Sequence, residues 1–188
     1  YTNIKEMIFV PATKSRITFP LNINNDNIDE YDETLIIDLI DSTVTNANTG
    51  ASRRHILTIL DDDPPPSIEF LTTNTTISES IGRHFLILAL SNQSGKKVSV
   101  NYQVNSNSSA INDEDFRLIN GTIFFPVGTT RDTLDISIIN DTIDEPFQDI
   151  IISLLDPVNS TIGSKAAHRV LINDDDPAPY IYIVSEKG

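Results

Sequence analysis

Apolar and polar residues alternate along this chain in short runs, without the spacing of an amphipathic helix. Val98-Ser99-Val100-Asn101-Tyr102-Gln103-Val104 has period two, and Leu134-Asp135-Ile136-Ser137-Ile138 repeats it. Such alternation predicts half-buried strands. Shorter apolar runs lie between turn residues. Ser67 to Leu71 with Thr76 to Ser78 reads as a first, interrupted strand. Phe85 to Leu90, Gly121 to Phe125, Ile150 to Leu155 and Val170 to Ile172 supply four more. Val127-Gly128-Thr129 reads as a turn and Asn105 to Asp115 as a polar loop. Seven short strands at this spacing predict an all-β fold, an antiparallel Greek-key, immunoglobulin-like seven-stranded β-sandwich. Ile87, Val100, Tyr102, Phe124, Phe125, Ile136, Ile138 and Ile152 are its expected core.

The pattern occurs twice. Ile8-Phe9-Val10-Pro11 returns as Ile123-Phe124-Phe125-Pro126, 115 residues on. Asn25-Asp26-Asn27-Ile28-Asp29-Glu30 returns as Asn140-Asp141-Thr142-Ile143-Asp144-Glu145 at the same distance. Leu35 to Asp41 matches Ile150 to Asp156. After a shortening by two, His55 matches His168, and Asp61-Asp62-Asp63-Pro64 matches Asp174-Asp175-Asp176-Pro177, 113 residues on. One long duplication accounts for all five matches. The prolines after each acidic triplet cannot donate to a ladder and set the direction of the next segment. They read as a stiff link between domains.

Three units follow. Residues 1–65 are the C-terminal half of a repeat, its strands four to seven. Residues 66–178 are a complete repeat. Residues 179–188 look like the opening strand of a further one. On this reading the chain starts mid-domain and stops just inside another. Either it is a piece of a tandem array, or a second chain completes residues 1–65. A half-sandwich would otherwise present unpaired edges.

Charge narrows the partners. The 188 residues carry a formal net charge of −14. This argues against nucleic acid and anionic membranes, and suits divalent cations. No run is long enough for a membrane helix, so no membrane insertion is expected in this segment. There is no cysteine, hence no disulfide and no thiolate zinc site. Six Asn-x-Ser/Thr sequons occur, at Asn74, Asn92, Asn107, Asn120, Asn140 and Asn159. All but Asn140, which lies in an acidic loop, are candidate glycosylation sites of an extracellular protein.

No Ser/His/Asp set is legible, and there is neither a cysteine nucleophile nor a tryptophan-lined cleft. An enzyme is not expected. His55 and His168 hold equivalent places in the last strand, which predicts packing or hydrogen bonding. His84, after Gly82-Arg83, is expected to be exposed.

The acids form the candidate site. In a sandwich, Asp141 and Glu145 lie in the connection between strands five and six, and Asp174 to Asp176 just after strand seven. Glu79 follows the first strand, and Asp113, Glu114 and Asp115 precede the fourth. The strand directions can bring these loops to one end, with Arg117 and Arg131 the nearest cations in sequence. Ca²⁺ takes six to eight oxygens at about 2.3–2.6 Å, so such a cluster can serve as its cage.

Taken in order, Ile77-Ser78-Glu79-Ser80-Ile81-Gly82, Asp113-Glu114-Asp115-Phe116, Asn140-Asp141-Thr142-Ile143-Asp144-Glu145 and Asp174-Asp175-Asp176 resemble the Calx-β domain. Tandem Calx-β repeats occur in extracellular adhesion and matrix proteins and in the regulatory domains of sodium–calcium exchangers. The resemblance implies Ca²⁺ as cofactor. Its ligands would fall on Glu79, Asp115, Asp141, the Ile143 carbonyl, Glu145, Asp174, Asp175 and Asp176. In the first repeat they would fall on Asp26, the Ile28 carbonyl, Glu30, Glu33, Asp61, Asp62 and Asp63. Asn140 and Gln148 stand where the family has acids, which implies fewer or weaker ions. The implied role is a calcium-binding structural and adhesion module of a large extracellular repeat protein. Its partners would be neighbouring repeats and an adhesion protein or glycan. Two other readings are a cytosolic Ca²⁺ sensor domain regulating a transporter and a cadherin-like adhesion repeat, the latter suggested by Asn-Asp-Asn-Ile-Asp at 25–29.

Overall fold

A computed structural model describes residues 7–184. Within 66–178 ten strands form two five-stranded sheets. One sheet has the order β4 (Asn74–Ser78), β12 (Ala167–Asn173), β10 (Gln148–Val158), β6 (Val98–Val104) and β8 (Gly121–Phe125). The other runs β11 (Thr161–Ile162), β3 (Ser67–Phe70), β5 (Arg83–Leu90), β9 (Arg131–Ile138) and β7 (Phe116–Arg117). Their facing sides pack as a β-sandwich. The interruption in the first strand is a change of sheet: β3 pairs with β5, while β4 crosses over to pair with β12. Two-residue β7 and β11 are the strands not foreseen from sequence, being too short to show a period.

Two departures from antiparallel order matter. β4 runs parallel to β12, and β11 parallel to β3. Each closes an edge of its sheet with residues from a distant part of the chain.

The core is built from inward positions of both sheets. Ile68, Phe70, Leu88, Ile136, Ile150, Ile152 and Val170 are wholly buried. Fully burying such a side chain contributes about 1.5–3 kcal/mol. Val100, Phe125 and Ile138 are buried as expected, and Tyr102 packs against the core from its margin. Ile87 and Phe124 are corrections: they are 38% and 59% exposed. Successive strand residues face opposite sides, so the buried Leu86, Leu88 and Phe125 place Ile87 and Phe124 outside.

His168 is buried, with Nδ1 2.7 Å from the Thr72 carbonyl and Nε2 3.0 Å from Thr75 Oγ1. His84 is not exposed but half-buried, its Nε2 3.2 Å from the same hydroxyl. Burial lowers the pKa of both histidines. His55, expected to pack like His168, is exposed.

The first repeat is a hairpin, β1 (Glu33–Asp38) against β2 (Arg54–Ile59). They correspond to strands six and seven of the complete repeat. Counterparts of strands four and five form no ladder among the described residues, although Ile8-Phe9-Val10 matches β8. In the second repeat β8 is held by β6, and residues 1–63 contain no counterpart of β6. Tyr180 to Val184, the proposed opening strand, pairs with nothing in the described chain and is exposed. Residues 185–188 of that unit lie outside the described residues.

Candidate metal centre

Strand register carries the acids to one end of the sandwich. Ile77 is level with Ile172 and Ser78 with Asn173 in the parallel β4–β12 pair. Glu79 and Asp174 therefore leave the sheet side by side. Gln148 is level with Ile172 across β10–β12, which brings the 139–147 connection to the same end. Phe116 pairs with Ile138, so Asp115 sits where β9 ends. The Ile139 N–H donates to the Asp115 carbonyl at 2.9 Å and fixes that corner.

Three carboxylates converge. Glu79, Asp141 and Asp176 each offer an oxygen, all within 4.8 Å of one another. Glu79 is buried, and its Oε1 accepts the Asp141 N–H at 2.8 Å. Asp141 Oδ1 accepts the Ile143 N–H at 2.7 Å, a turn that folds the loop back on itself. Burial raises the Glu79 carboxyl above its ordinary pKa. The Asp141 N–H opposes the rise, and the charges of Asp141, Asp174 and Asp176 add to it. Glu145 is raised by burial and by Asp115, Asp141 and Asp174. Asp176 is raised by burial and by Asp174, Asp175, Asp141 and Asp144. Six acids, Glu79, Asp115, Asp141, Glu145, Asp174 and Asp176, thus share one neighbourhood.

Two of their oxygens, Asp174 Oδ1 and Asp176 Oδ2, are buried with no hydrogen-bond partner. A buried acceptor without a donor costs on the order of 1–3 kcal/mol, more when charged. A hard cation satisfies such oxygens, and carboxylates are what Ca²⁺ prefers. The donor set fits that ion.

Other expected residues are placed differently. The carboxylate of Asp175 turns away, accepting Ser80 Oγ at 2.6 Å and Ser78 Oγ at 3.0 Å, and those bonds lower its pKa. Along extended chain, 174 and 176 point one way and 175 the other. Asp113 and Glu114 are exposed, and Asp113 lies 3.7 Å from Arg117. Gln148 Nε2 donates to Glu145 Oε2 at 3.0 Å, a neutral partner where the family has an acid.

The first repeat repeats the turn. Asp26 Oδ1 accepts the Ile28 N–H at 2.9 Å. Asp32, not singled out from sequence, accepts the Asp61 N–H at 3.0 Å. Burial raises the Asp63 carboxyl, with Asp62, Asp61, Asp26 and Asp29 adding to the rise. Glu30 and Asp62 are exposed, and Glu33 stands at the exposed start of β1. Glu79 and Asp115 have no counterparts in residues 1–63.

A second acidic centre also went unseen in the sequence. Asp149 is buried and accepts Ser109 Oγ at 2.7 Å and Arg169 Nε at 2.5 Å. Burial pushes its carboxyl up, but those partners outweigh it and hold the pKa low. It ties the 105–115 loop to the sheet and presents no free oxygen.

Of the sequons, Asn74, Asn92, Asn107 and Asn120 are exposed and Asn159 is half-buried. The Asn159 amide donates to the Lys97 carbonyl at 2.7 Å, and the Asn92 amide to the Asn27 carbonyl.

Comparison with known proteins agrees with this architecture. Adhesion G-protein coupled receptor V1 of Danio rerio is 27% identical over 169 residues, which are 87% of this chain and 3% of that protein. The chain therefore spans a small fraction of that relative's length. The crystal structure of the apo-form Calx CBD1 domain superposes with a TM-score of 0.55 at 23% identity, covering 59% of this chain and 98% of that one. The calcium binding domain CBD12 of CALX1.1 gives 0.55 at 24% identity, covering 58% and 44%. These likenesses establish the shared fold. The Calx-beta domain model matches residues 1–63 and again 61–176, in register with the duplication. The chain belongs to the Calx-beta domain family.

Proposed function

We propose that the second repeat binds Ca²⁺ at the end of its sandwich and that the chain serves as a structural adhesion module of a large extracellular protein. Glu79, Asp115, Asp141, the Ile143 carbonyl, Glu145, Asp174 and Asp176 would hold the ion, with Asp175 bracing the run through Ser78 and Ser80. The observation that carries the reading is the pair of orphaned buried oxygens on Asp174 and Asp176, beside the converging carboxylates of Glu79, Asp141 and Asp176. Asp26, the Ile28 carbonyl, Glu30, Glu33, Asp61, Asp62 and Asp63 form a partial set in the first repeat. The adhesion receptor similar to this chain supports the extracellular setting. The exposed sequons support it too.

An ion that binds only the folded site stabilises it by about 2.7 kcal/mol at a hundred times its Kd. Calcium titration by calorimetry, with melting in calcium and in chelator, tests this. A Kd on the order of 10⁻⁴ M with a raised melting temperature is expected, as extracellular sites can be weak and still fill. A Kd below about 10⁻⁶ M would move the protein to the cytosolic sensor class. No heat and no change in melting would sink the reading.

A further inference from the structure

Lys96 belongs to the turn between β5 and β6 of the second repeat, but its side chain lies among acids of the first. Its Nζ is 2.7 Å from Asp29 Oδ1, 3.7 Å from Asp61 Oδ2 and 5.3 Å from the centre of the Tyr31 ring. The contact is secluded: the side chains of Lys96 and Asp29 are 18% and 5% exposed. Backbone contacts surround it. The Gly95 N–H donates to the Asp29 carbonyl at 2.9 Å, and Ser94 Oγ donates to the same oxygen at 3.2 Å. The Asn92 amide reaches the Asn27 carbonyl. A Cβ on residue 95 would lie 2.8 Å from Glu30 Cγ, so glycine permits this close approach.

The acids involved have counterparts. Asp29 corresponds to Asp144 and Asp61 to Asp174. Among the described residues, no lysine or arginine pairs with Asp144 or Asp174. Within the described residues, the first repeat thus has an ammonium set into its acidic end by the second. An exposed ion pair contributes little, but here one cation bridges two acids in a secluded contact and lies over an aromatic ring.

We propose that Lys96 is the fixed cation of the joint: its ammonium holds the place between Asp29 and Asp61 that a divalent ion would otherwise take, closing the junction of the two repeats without metal. The proposal shares with the preceding reading only the premise that such acidic ends accept divalent cations. The partner surface is a neighbouring repeat of the same chain that presents a lysine from its β5–β6 turn.

The chain has no cysteine, so spin labels can be placed at Ser52→Cys and Ser106→Cys, one in each repeat. Dipolar spectroscopy on the 188-residue chain then reads the spread of distances between them. A narrow distribution in chelator is expected for Lys96 and for Lys96→Arg. Lys96→Met should broaden it severalfold in chelator, and added Ca²⁺ should narrow it again. A Lys96→Met joint as narrow as wild type in chelator would overturn the proposal. So would a wild-type joint that broadens in chelator, or a Lys96→Met joint that calcium leaves broad. Asp141→Asn separates the two ideas, since it weakens calcium binding in the second repeat and leaves the chelator distributions unchanged.

Discussion

Leu35 faces Leu57 across β1 and β2 as Ile150 faces Val170 across β10 and β12, and Ile37 faces His55 as Ile152 faces His168. The two hairpins share register position for position. Their surroundings differ. β10 and β12 are flanked by β6 and β4 and covered by a second sheet, so Ile152 and His168 are 0% and 1% exposed. β1 and β2 have each other, and His55 and Ile56 lie open, Ile56 at 59%. Pairing is decided by local alternation and turn position. Burial is decided by what lies opposite.

Ile152→Ala should separate the two hairpins most strongly. It opens a cavity between closed sheets and should cost about 2–5 kcal/mol of the second repeat's stability. Ile37→Ala, at the matching half-buried position, should cost under about 1 kcal/mol, because water already reaches the side chain. Urea unfolding of both variants checks this, and equal losses would mean that the first hairpin is covered as fully as the second.

The acidic ends come next. Asp141→Asn should weaken calcium binding at least about tenfold, or about 1.4 kcal/mol. Asp26→Asn, at the same place in the partial set, should leave the main calorimetric isotherm unchanged. A reversed order would place the ion in the first repeat.

The smallest effect concerns pH. Burial lowers the pKa of His168 in the native state, so the unfolded chain binds its proton first as pH falls. The stability associated with neutral His168 is present above about pH 6.5, the unfolded value, and is lost as pH drops from there through the lowered native one. The slope for one group cannot exceed about 1.4 kcal/mol per pH unit. His168→Asn should flatten the fall of the stability curve below about pH 6.5. An unchanged slope in His168→Asn would place the titration at His84 instead.

Much of this arrangement was legible in residue order. The duplication, the strand runs and the acids of each loop stand in the sequence because pairing and turns are local. Alternation also held information left unused: Phe124 and Phe125 are adjacent and cannot both face inward, and Asp175 cannot face the way Asp174 and Asp176 do. The crossing of β4 to a distant strand was not legible, since a break at Thr72 to Thr75 fits a loop as well as a change of sheet. Nor was Lys96. Nothing near Gly95-Lys96-Lys97 signals an acidic partner 67 residues away, because that contact depends on how one repeat is seated on the other.

The parallel pairing of β4 with β12 carries a mechanical meaning. β4 lies near the entrance of the repeat and β12 at its exit, with five residues level with one another from Arg169 and Asn74 to Asn173 and Ser78. Tension along the chain pulls β4 backward and β12 forward. The load falls across the ladder in shear, so its hydrogen bonds must yield together rather than unzip one at a time. Once β3 yields, a repeat in series under tension would hold at this clasp, and the Asp174–Asp176 end lies directly at its mouth.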